Sequence, residues 1–370
     1  MASESVRVAL GAASFLEHDL RLDVDERHPI CHGGLVFDIS TIDGVITHCV
    51  PEIGFMHRSA EKLYESRDYR QIMMLANRHD WLSGFHGELL VALTVEEALG
   101  ITPPARATWT RMLLAEVNRL TTSMLWCSFV TSVPLRAMRE PLLNFMQHVS
   151  GSRIHPMINR IGGLAHPIPT ESLDHLPELL EPIATRLPDV RQDIARAPLR
   201  GIGIVREDVV EAFDCSGIIA RASGVDRDLR FQRSYLAYAS CAEMTPIITD
   251  TAGDASARYG ALLAVMRSSL DIIARTIAVV RDFADEPIDV PLPKVVRVPN
   301  STTFMQVESP IGISGALLVS AGDKTPWRLK LTTPSFHTMQ ALPKIVLGIE
   351  LDELGTVLMS LPMIVGDIDR

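Results

Sequence analysis

The chain has 370 residues, 47% hydrophobic, 22% charged and 5% aromatic, a composition that builds a large buried core and excludes a disordered or collagen-like polymer. Its 45 acidic against 35 basic residues give a net charge of -10, which removes any general electrostatic reason to bind nucleic acid. Five cysteines, odd in number and never within a CxxC pair, suit a reducing compartment and imply neither a disulfide framework nor a zinc finger.

The first residues, Met-Ala-Ser-Glu-Ser-Val-Arg, carry an acid where a secretory signal is cationic, so export is not expected. Strands are predicted over residues 6–10, 20–24, 34–40 and 45–50, forming a small antiparallel sheet. The last two are joined through Thr41-Ile42-Asp43-Gly44, where glycine accepts the positive φ of a tight turn. After Pro51 the pattern turns helical, beginning at Phe55 and running with breaks to Gly100.

Pro103-Pro104 pre-organises the first turn of a long helix that puts Trp109, Met112, Leu113, Val117, Leu120 and Met124 on one apolar stripe. Arg111, Glu116 and Arg119 lie elsewhere on it, and Glu116 and Arg119, one turn apart, read as a solvated ion pair. The longest uncharged stretch, residues 120–135, holds six Ser/Thr and Pro134 and is shorter than the roughly 20 apolar residues that span a bilayer. It reads as a buried helix, which leaves membrane association to partner proteins.

Further helices are expected over residues 138–149, 172–194 and 255–282, with a Pro/Gly-rich link at 161–167. Short β-like runs follow at 305–308, 315–319 and 327–331, and the chain ends in helical or irregular segments.

Chemistry concentrates in Arg27-His28-Pro29-Ile30-Cys31-His32-Gly33, two imidazoles and a thiol before a strand. An exposed imidazole at a loop tip can give a proton to a reduced substrate. For His28, beside the bend of Pro29, the competing reading is a structural histidine satisfied by backbone. A metal site from His28, Cys31 and His32 lacks a matching distant pair. His86-Gly87-Glu88 is not a zincin HExxH, and Gly201-Ile202-Gly203 lacks the third glycine of a dinucleotide loop. The chain by itself therefore carries no nucleotide site and no metal site.

Taken together, the motifs resemble the D subunit of NADH:quinone oxidoreductase, respiratory complex I, from His28 to Arg370. The HPxxHG motif stands as His28-Pro-Ile-Cys-His32-Gly33, and the next stretch as Pro51-Glu-Ile-Gly54-Phe-Met-His57-Arg58-Ser-Ala-Glu61-Lys62. In family order follow Arg111, Glu116 and Arg119, Ser150-Gly151-Ser-Arg153-Ile-His155, Arg160-Ile-Gly162-Gly163, Arg221-Ala-Ser223-Gly224, Pro326-Trp327-Arg328 and Gly366-Asp367-Ile368-Asp369-Arg370.

The resemblance implies an α+β, mainly α, fold shared with the large subunit of NiFe hydrogenases. Its expected parts are an N-terminal β region (1–52), a helical bundle (53–300) and a segment (301–370) returning to the N-terminal side as one integrated domain. The CxxC thiolates of a nickel site are absent near Asp80/Ser83 and Met363/Gly366, so no nickel is expected. In its place the resemblance implies a quinone cavity shared with an iron–sulfur subunit that carries a [4Fe-4S] cluster. Other peripheral-arm and membrane subunits would complete an assembly fed by NADH, with this chain peripheral on the cytoplasmic side of the cell membrane and without a cofactor of its own.

By the same resemblance His32 is the proton donor or hydrogen-bond partner of the headgroup. His28, Cys31, Asp80 and Trp81 line its pocket, Arg58 and Arg78 lie toward the cluster, and Arg111, Glu116 and Arg119 are near-cluster or structural. Three departures fall at the site. The family tyrosine is Trp81 in Arg78-His79-Asp80-Trp81, no acid stands near Ser132/Val133 to steady the histidine, and the PRGE run is Pro310-Ile311-Gly312-Ile313. Either the quinone pocket works in shifted form, with Cys31, His79 or His86 compensating, or the chain is a structural or assembly paralogue. A subunit of a ferredoxin-dependent, energy-converting relative of hydrogenases is the remaining alternative.

Overall fold

The computed structural model describes residues 3–22, 24–244 and 247–370. Alternating apolar residues build the first sheet, in the order β2-β1-β3-β4, from β1 (Ser3–Gly11), β2 (Leu20–Arg21), β3 (Gly34–Ile42) and β4 (Val45–Glu52). Asp43 and Gly44, both at positive φ (53° and 85°), form the predicted two-residue turn between β3 and β4. The sheet is not wholly antiparallel, because β2 pairs parallel with β1 over two residues, Leu20 and Arg21. The strand expected over 20–24 is thus shorter, and its Asp23 lies outside the described residues.

The first helix, α1 (Ala60–Glu65), starts five residues later than the periodicity suggests. The preceding loop is claimed by the far end of the chain: Gly54 N and Met56 N donate to the Asp369 carboxylate at 2.8 and 2.9 Å. Then come α2 (Met73–Ala76), α3 (Gly84–Leu99), α4 (Ala105–Cys127) and α5 (Leu135–Ser150). The uncharged stretch 120–135 is therefore helical only to Cys127, and Pro134 caps the next helix. No helix among the described residues is long and apolar enough to cross a membrane.

The two-stranded β5 (Asn159–Arg160) and β6 (Gly163–Leu164) lie within and just before the predicted link. In α6 (Thr170–Arg196), Leu173, Leu176, Leu180, Ile183, Leu187, Val190 and Ile194 form the buried stripe, while Pro177, Pro182 and Pro188 fall on the exposed side. Pro177 cannot bond back to the Leu173 carbonyl; Arg281 donates to that oxygen at 3.3 Å instead. Short helices α7 (Glu207–Ala212), α8 (Gly217–Ala222) and α9 (Leu229–Gln232) lead to α10 (Ala255–Asp282), which packs along α4 as the centre of the bundle.

A second sheet, β7 (Ser301–Ser309), β8 (Gly312–Ser320) and β9 (Arg328–Thr332), is an antiparallel meander. Helices α11 (Pro334–Ile345), α12 (Leu354–Ser360) and α13 (Val365–Ile368) then pack on the first sheet. The architecture is α+β with helix predominant. Its apolar side chains form two main clusters, one in the bundle and second sheet, the other between the first sheet and α11–α13, and Trp81 packs against both.

The charges on α4 are not solvated. Arg111, Glu116 and Arg119 are at most 1% exposed, which overturns the surface ion-pair reading. Glu116 accepts from Arg119 Nε at 3.0 Å, Tyr238 at 2.6 Å, Ser269 at 2.6 Å and Arg230 at 3.3 Å. Burial alone would raise its pKa, but Arg119 and Arg230 outweigh that and hold it down at about 2. Arg119 extends the network to the carbonyls of Glu308 and Ser309 at the β7–β8 turn. Arg111 grips both Glu96 oxygens and the carbonyls of Arg160 and Gly163. These three side chains are staples between distant segments.

Candidate functional site

Where the two apolar clusters meet at Trp81, five segments leave a cavity of about 480 Å³. The loop after β4 contributes Met56 and Arg58, α1 contributes Ala60 and Leu63, and residues 75–81 contribute Leu75, Arg78, His79 and Trp81. His155 follows α5, and Gly366, Asp369 and Arg370 close the wall from the chain's far end.

That far end is held from several sides. Besides the Asp369 bonds to the 54–56 loop, Thr333 Oγ1 donates to the Asp367 carbonyl at 2.7 Å and Ser335 N to the Asp367 carboxylate at 3.2 Å. The Arg370 guanidinium lies 4.6 Å from the Phe336 ring centroid, and its Nε donates to the Leu331 carbonyl. Gly366 allows the closest approach of all, since a Cβ there would sit 2.4 Å from the Trp81 ring and 2.5 Å from the His79 carbonyl.

The lining is apolar with sparse polar points. Three ring nitrogens of its side chains, His79 Nδ1, Trp81 Nε1 and His155 Nδ1, are buried without a hydrogen-bond partner among the described residues. Leaving such a group unpaired costs on the order of 1–3 kcal/mol. Three guanidiniums, Arg58, Arg78 and Arg370, make the wall basic, while the one acid lining it, Asp369, is engaged by backbone N–H groups.

Behind the wall lie two buried carboxyls. Asp80 accepts from Leu82 N and Ser83 N at 3.1 and 2.9 Å, and Asp367 stands 3.5 Å from His79 Nδ1. Burial raises Asp80, and the neighbouring Asp367 charge raises it further; burial also raises Asp367. Burial pushes His79 down, Asp80 opposes this, and Arg370 and Arg58 add to it, so the imidazole is neutral at neutral pH.

Of the residues singled out from sequence, Trp81, Arg58 and Arg78 line this cavity, and Asp80 supports it from behind. His32 is exposed, and its ring has no hydrogen-bond partner among the described residues. It is not among the residues lining the cavity, although a Cβ on the adjacent Gly33 would touch Met56 Sδ at 2.7 Å. No acid among the described residues bonds to its ring. The turn at Thr131 and Ser132 is capped instead by Asp193 from α6 at 2.7–2.8 Å.

His28 and Cys31 do not line the cavity. The 3₁₀ turn Pro29–Cys31 carries them elsewhere, with His28 Nδ1 accepting from Ile30 N and its ring against Trp126 and Phe129 in the core. Burial pushes His28 down to about 4, so it is a neutral structural histidine, as the neighbouring proline suggests. Cys31 faces a separate cavity of about 220 Å³, and burial pushes its thiol up to about 11. The three side chains His28, Cys31 and His32 form no metal-holding group among the described residues.

His86 is also in the core, between Asn118 and Arg119 at 3.1 and 3.3 Å, and cannot serve the cavity. His79 does reach it. Sequence reasoning missed His155, Gly366, Asp369 and Arg370 as site residues, although all four lie in motifs that carry the family resemblance; their assignment needed the fold that brings residue 370 beside residue 58.

A family model described as respiratory-chain NADH dehydrogenase, 49 Kd subunit, matches residues 129–296 and 291–370. Three similar proteins, each named as a D subunit of NADH-quinone oxidoreductase, agree across nearly the whole chain. One from Streptomyces coelicolor is 42% identical, covering 95% of each chain. Another, from Salinispora arenicola, is 41% identical over 95% of this chain and 94% of its own. The third, from Geobacillus thermodenitrificans, is 32% identical over 95% and 98%. The chain belongs to the family of the 49-kDa, or D, subunits of NADH:quinone oxidoreductase. It is thus of a kind that works as one subunit of an oxidoreductase complex.

Proposed function

We propose that the chain forms the quinone headgroup site of an NADH:quinone oxidoreductase and passes electrons to that quinone from a neighbouring subunit's [4Fe-4S] cluster. The observation that carries this reading is the cavity of about 480 Å³ at Trp81. A quinone headgroup is a flat apolar ring with a carbonyl acceptor at each end. Met56, Leu63, Leu75 and the Trp81 ring fit its faces, and the unpaired Trp81 and His155 ring nitrogens and the guanidiniums fit its oxygens.

The cluster, held by the iron–sulfur partner, supplies the electrons; this chain's residues bind, orient and exchange protons. Trp81 Nε1–H orients the headgroup but cannot release a proton as a phenol does. The exposed His32 is the hydrogen-bond partner or proton donor for one carbonyl, and the exposed Arg58 and Arg78 face the cluster-bearing partner. Other peripheral-arm and membrane subunits complete the assembly and hold the chain at the cytoplasmic face of the cell membrane. The kinship of the fold to the hydrogenase large subunit belongs to the same proposal.

A second reading, a structural or assembly paralogue, is favoured by the lack, among the described residues, of an acid bonded to His32 and by the indole at position 81. The complex itself is tested by pulling the tagged chain from gently solubilised membranes, with partner identification and an iron and acid-labile sulfide assay. An iron–sulfur subunit together with NADH-module subunits is expected. A chain that arrives alone and iron-free contradicts the proposal, and a ferredoxin-reacting partner without an NADH module points to the hydrogenase-related alternative.

A further inference from the structure

We propose that His79, fed through Asp367, delivers one of the two protons that a quinone takes up in this cavity, a step the Trp81 indole cannot perform. The inference rests on the quinone-site reading and extends it to a residue and a route.

The lining offers few groups able to release a proton near neutral pH. Arginines do not deprotonate in proteins, and indole N–H does not either. The Asp369 carboxylate has both oxygens engaged by backbone N–H groups. His155 lines the cavity, but no acid among the described residues bonds to its ring. His79 alone among the described lining residues has a buried carboxyl beside its ring, Asp367 Oδ1 at 3.5 Å from Nδ1. Nε2 makes no hydrogen bond among the described residues, which leaves it for a ligand.

Position and charge agree with a relay. His79 is 8% exposed and Asp367 1%, so neither exchanges freely with bulk water. The charged groups that act on His79 are the carboxyls Asp80 and Asp367 and the guanidiniums Arg370 and Arg58. Burial holds Asp367 and Asp80 above the ordinary carboxylate range, so the pair retains a proton closer to neutrality than a surface acid would. The imidazole between them and the cavity is neutral and can donate from one nitrogen while accepting on the other.

In the reaction the quinone gains two electrons from the partner's iron–sulfur cluster and two protons, and its two C=O groups become C–OH. At one carbonyl the Nε2–H bond of His79 breaks as the new O–H forms. Nδ1 takes the proton of the Asp367 carboxyl group, which is refilled from water through the acid pair. The second proton comes from His32, the donor named in the quinone-site reading. Asp367 is a positioning and supplying residue, whereas His79 touches the substrate.

The experiment uses the assembled complex and a short-chain benzoquinone, with ferricyanide as an acceptor that takes electrons upstream of the cavity. His79→Gln is expected to lower quinone turnover at least ~100-fold, to leave ferricyanide reduction unchanged, and to raise the dissociation constant of a quinone-analogue inhibitor by far less than turnover falls. Trp81→Tyr, which places a phenol in the cavity, is expected to restore at least ~10-fold of that loss in the His79→Gln background, and likewise for Asp367→Asn. A purely structural defect would not be repaired this way. Turnover of His79→Gln within two-fold of the unmodified complex, no rescue by Trp81→Tyr, or parallel loss of inhibitor binding would each overturn the proposal. Failure of the inhibitor to bind this subunit in the unmodified complex would instead refute the quinone-site reading beneath it.

Discussion

Glu116→Ala is expected to remove about 3–5 kcal/mol of stability, the cost of stranding buried charges by deleting their partner. Arg119 and Arg230 are each at most 2% exposed, and both bond to Glu116. Its loss would leave two guanidiniums without their shared counter-charge and Tyr238 and Ser269 without their acceptor. A solvated pair one helical turn apart would change stability by only about 0.3–0.5 kcal/mol. The measurement is the denaturant midpoint of this subunit by pulse proteolysis of the purified complex, with the exposed Glu97→Ala as control, expected within about 0.5 kcal/mol of the unmodified protein. A Glu116→Ala midpoint equal to the control would contradict the network described here.

Gly366→Ala is expected to lower quinone turnover at least ~100-fold, the penalty that an ångström-scale misplacement of site groups can carry. The added Cβ would meet the His79 carbonyl at 2.5 Å and the Trp81 ring at 2.4 Å. The first of these is backbone, so a rotamer change cannot relieve the contact. Either α13 retreats, taking Asp367 and Asp369 with it, or the 79–81 segment moves into the cavity. Assembly and the iron content of the purified complex are expected to persist, since Arg111, Glu116 and Arg119 are untouched. Unchanged quinone turnover would mean that the wall at Trp81 does not shape the substrate site.

What could be read in advance divides along a physical line. The helix at 255–282 matches α10, and the stripe from Leu173 to Ile194 is the buried face of α6, because apolar period is a local property. Trp81, Arg58 and Arg78, singled out through the family resemblance, line one cavity in the fold. The charges on α4 were misread because their neutralising partners, Arg230, Tyr238 and Ser269, arrive from more than a hundred residues away. The late onset of α1 has the same origin, in Asp369, as does the basic wall completed by Arg370. Within the HPxxHG turn, sequence adjacency misled: one turn of 3₁₀ helix sends His28 into the core and Cys31 to another cavity and leaves His32 exposed, outside the cavity lining.

The most direct test of the central claim is to label the assembled complex with a photoreactive quinone carrying its reactive group on the ring, and to locate the adducts by mass spectrometry. Adducts are expected on this chain at Met56, Leu63 or Trp81, reduced in Gly366→Ala and competed by excess unlabelled quinone. Competed adducts confined to other subunits, with none between residues 55 and 81 of this chain, would contradict the assignment of the quinone site to this cavity.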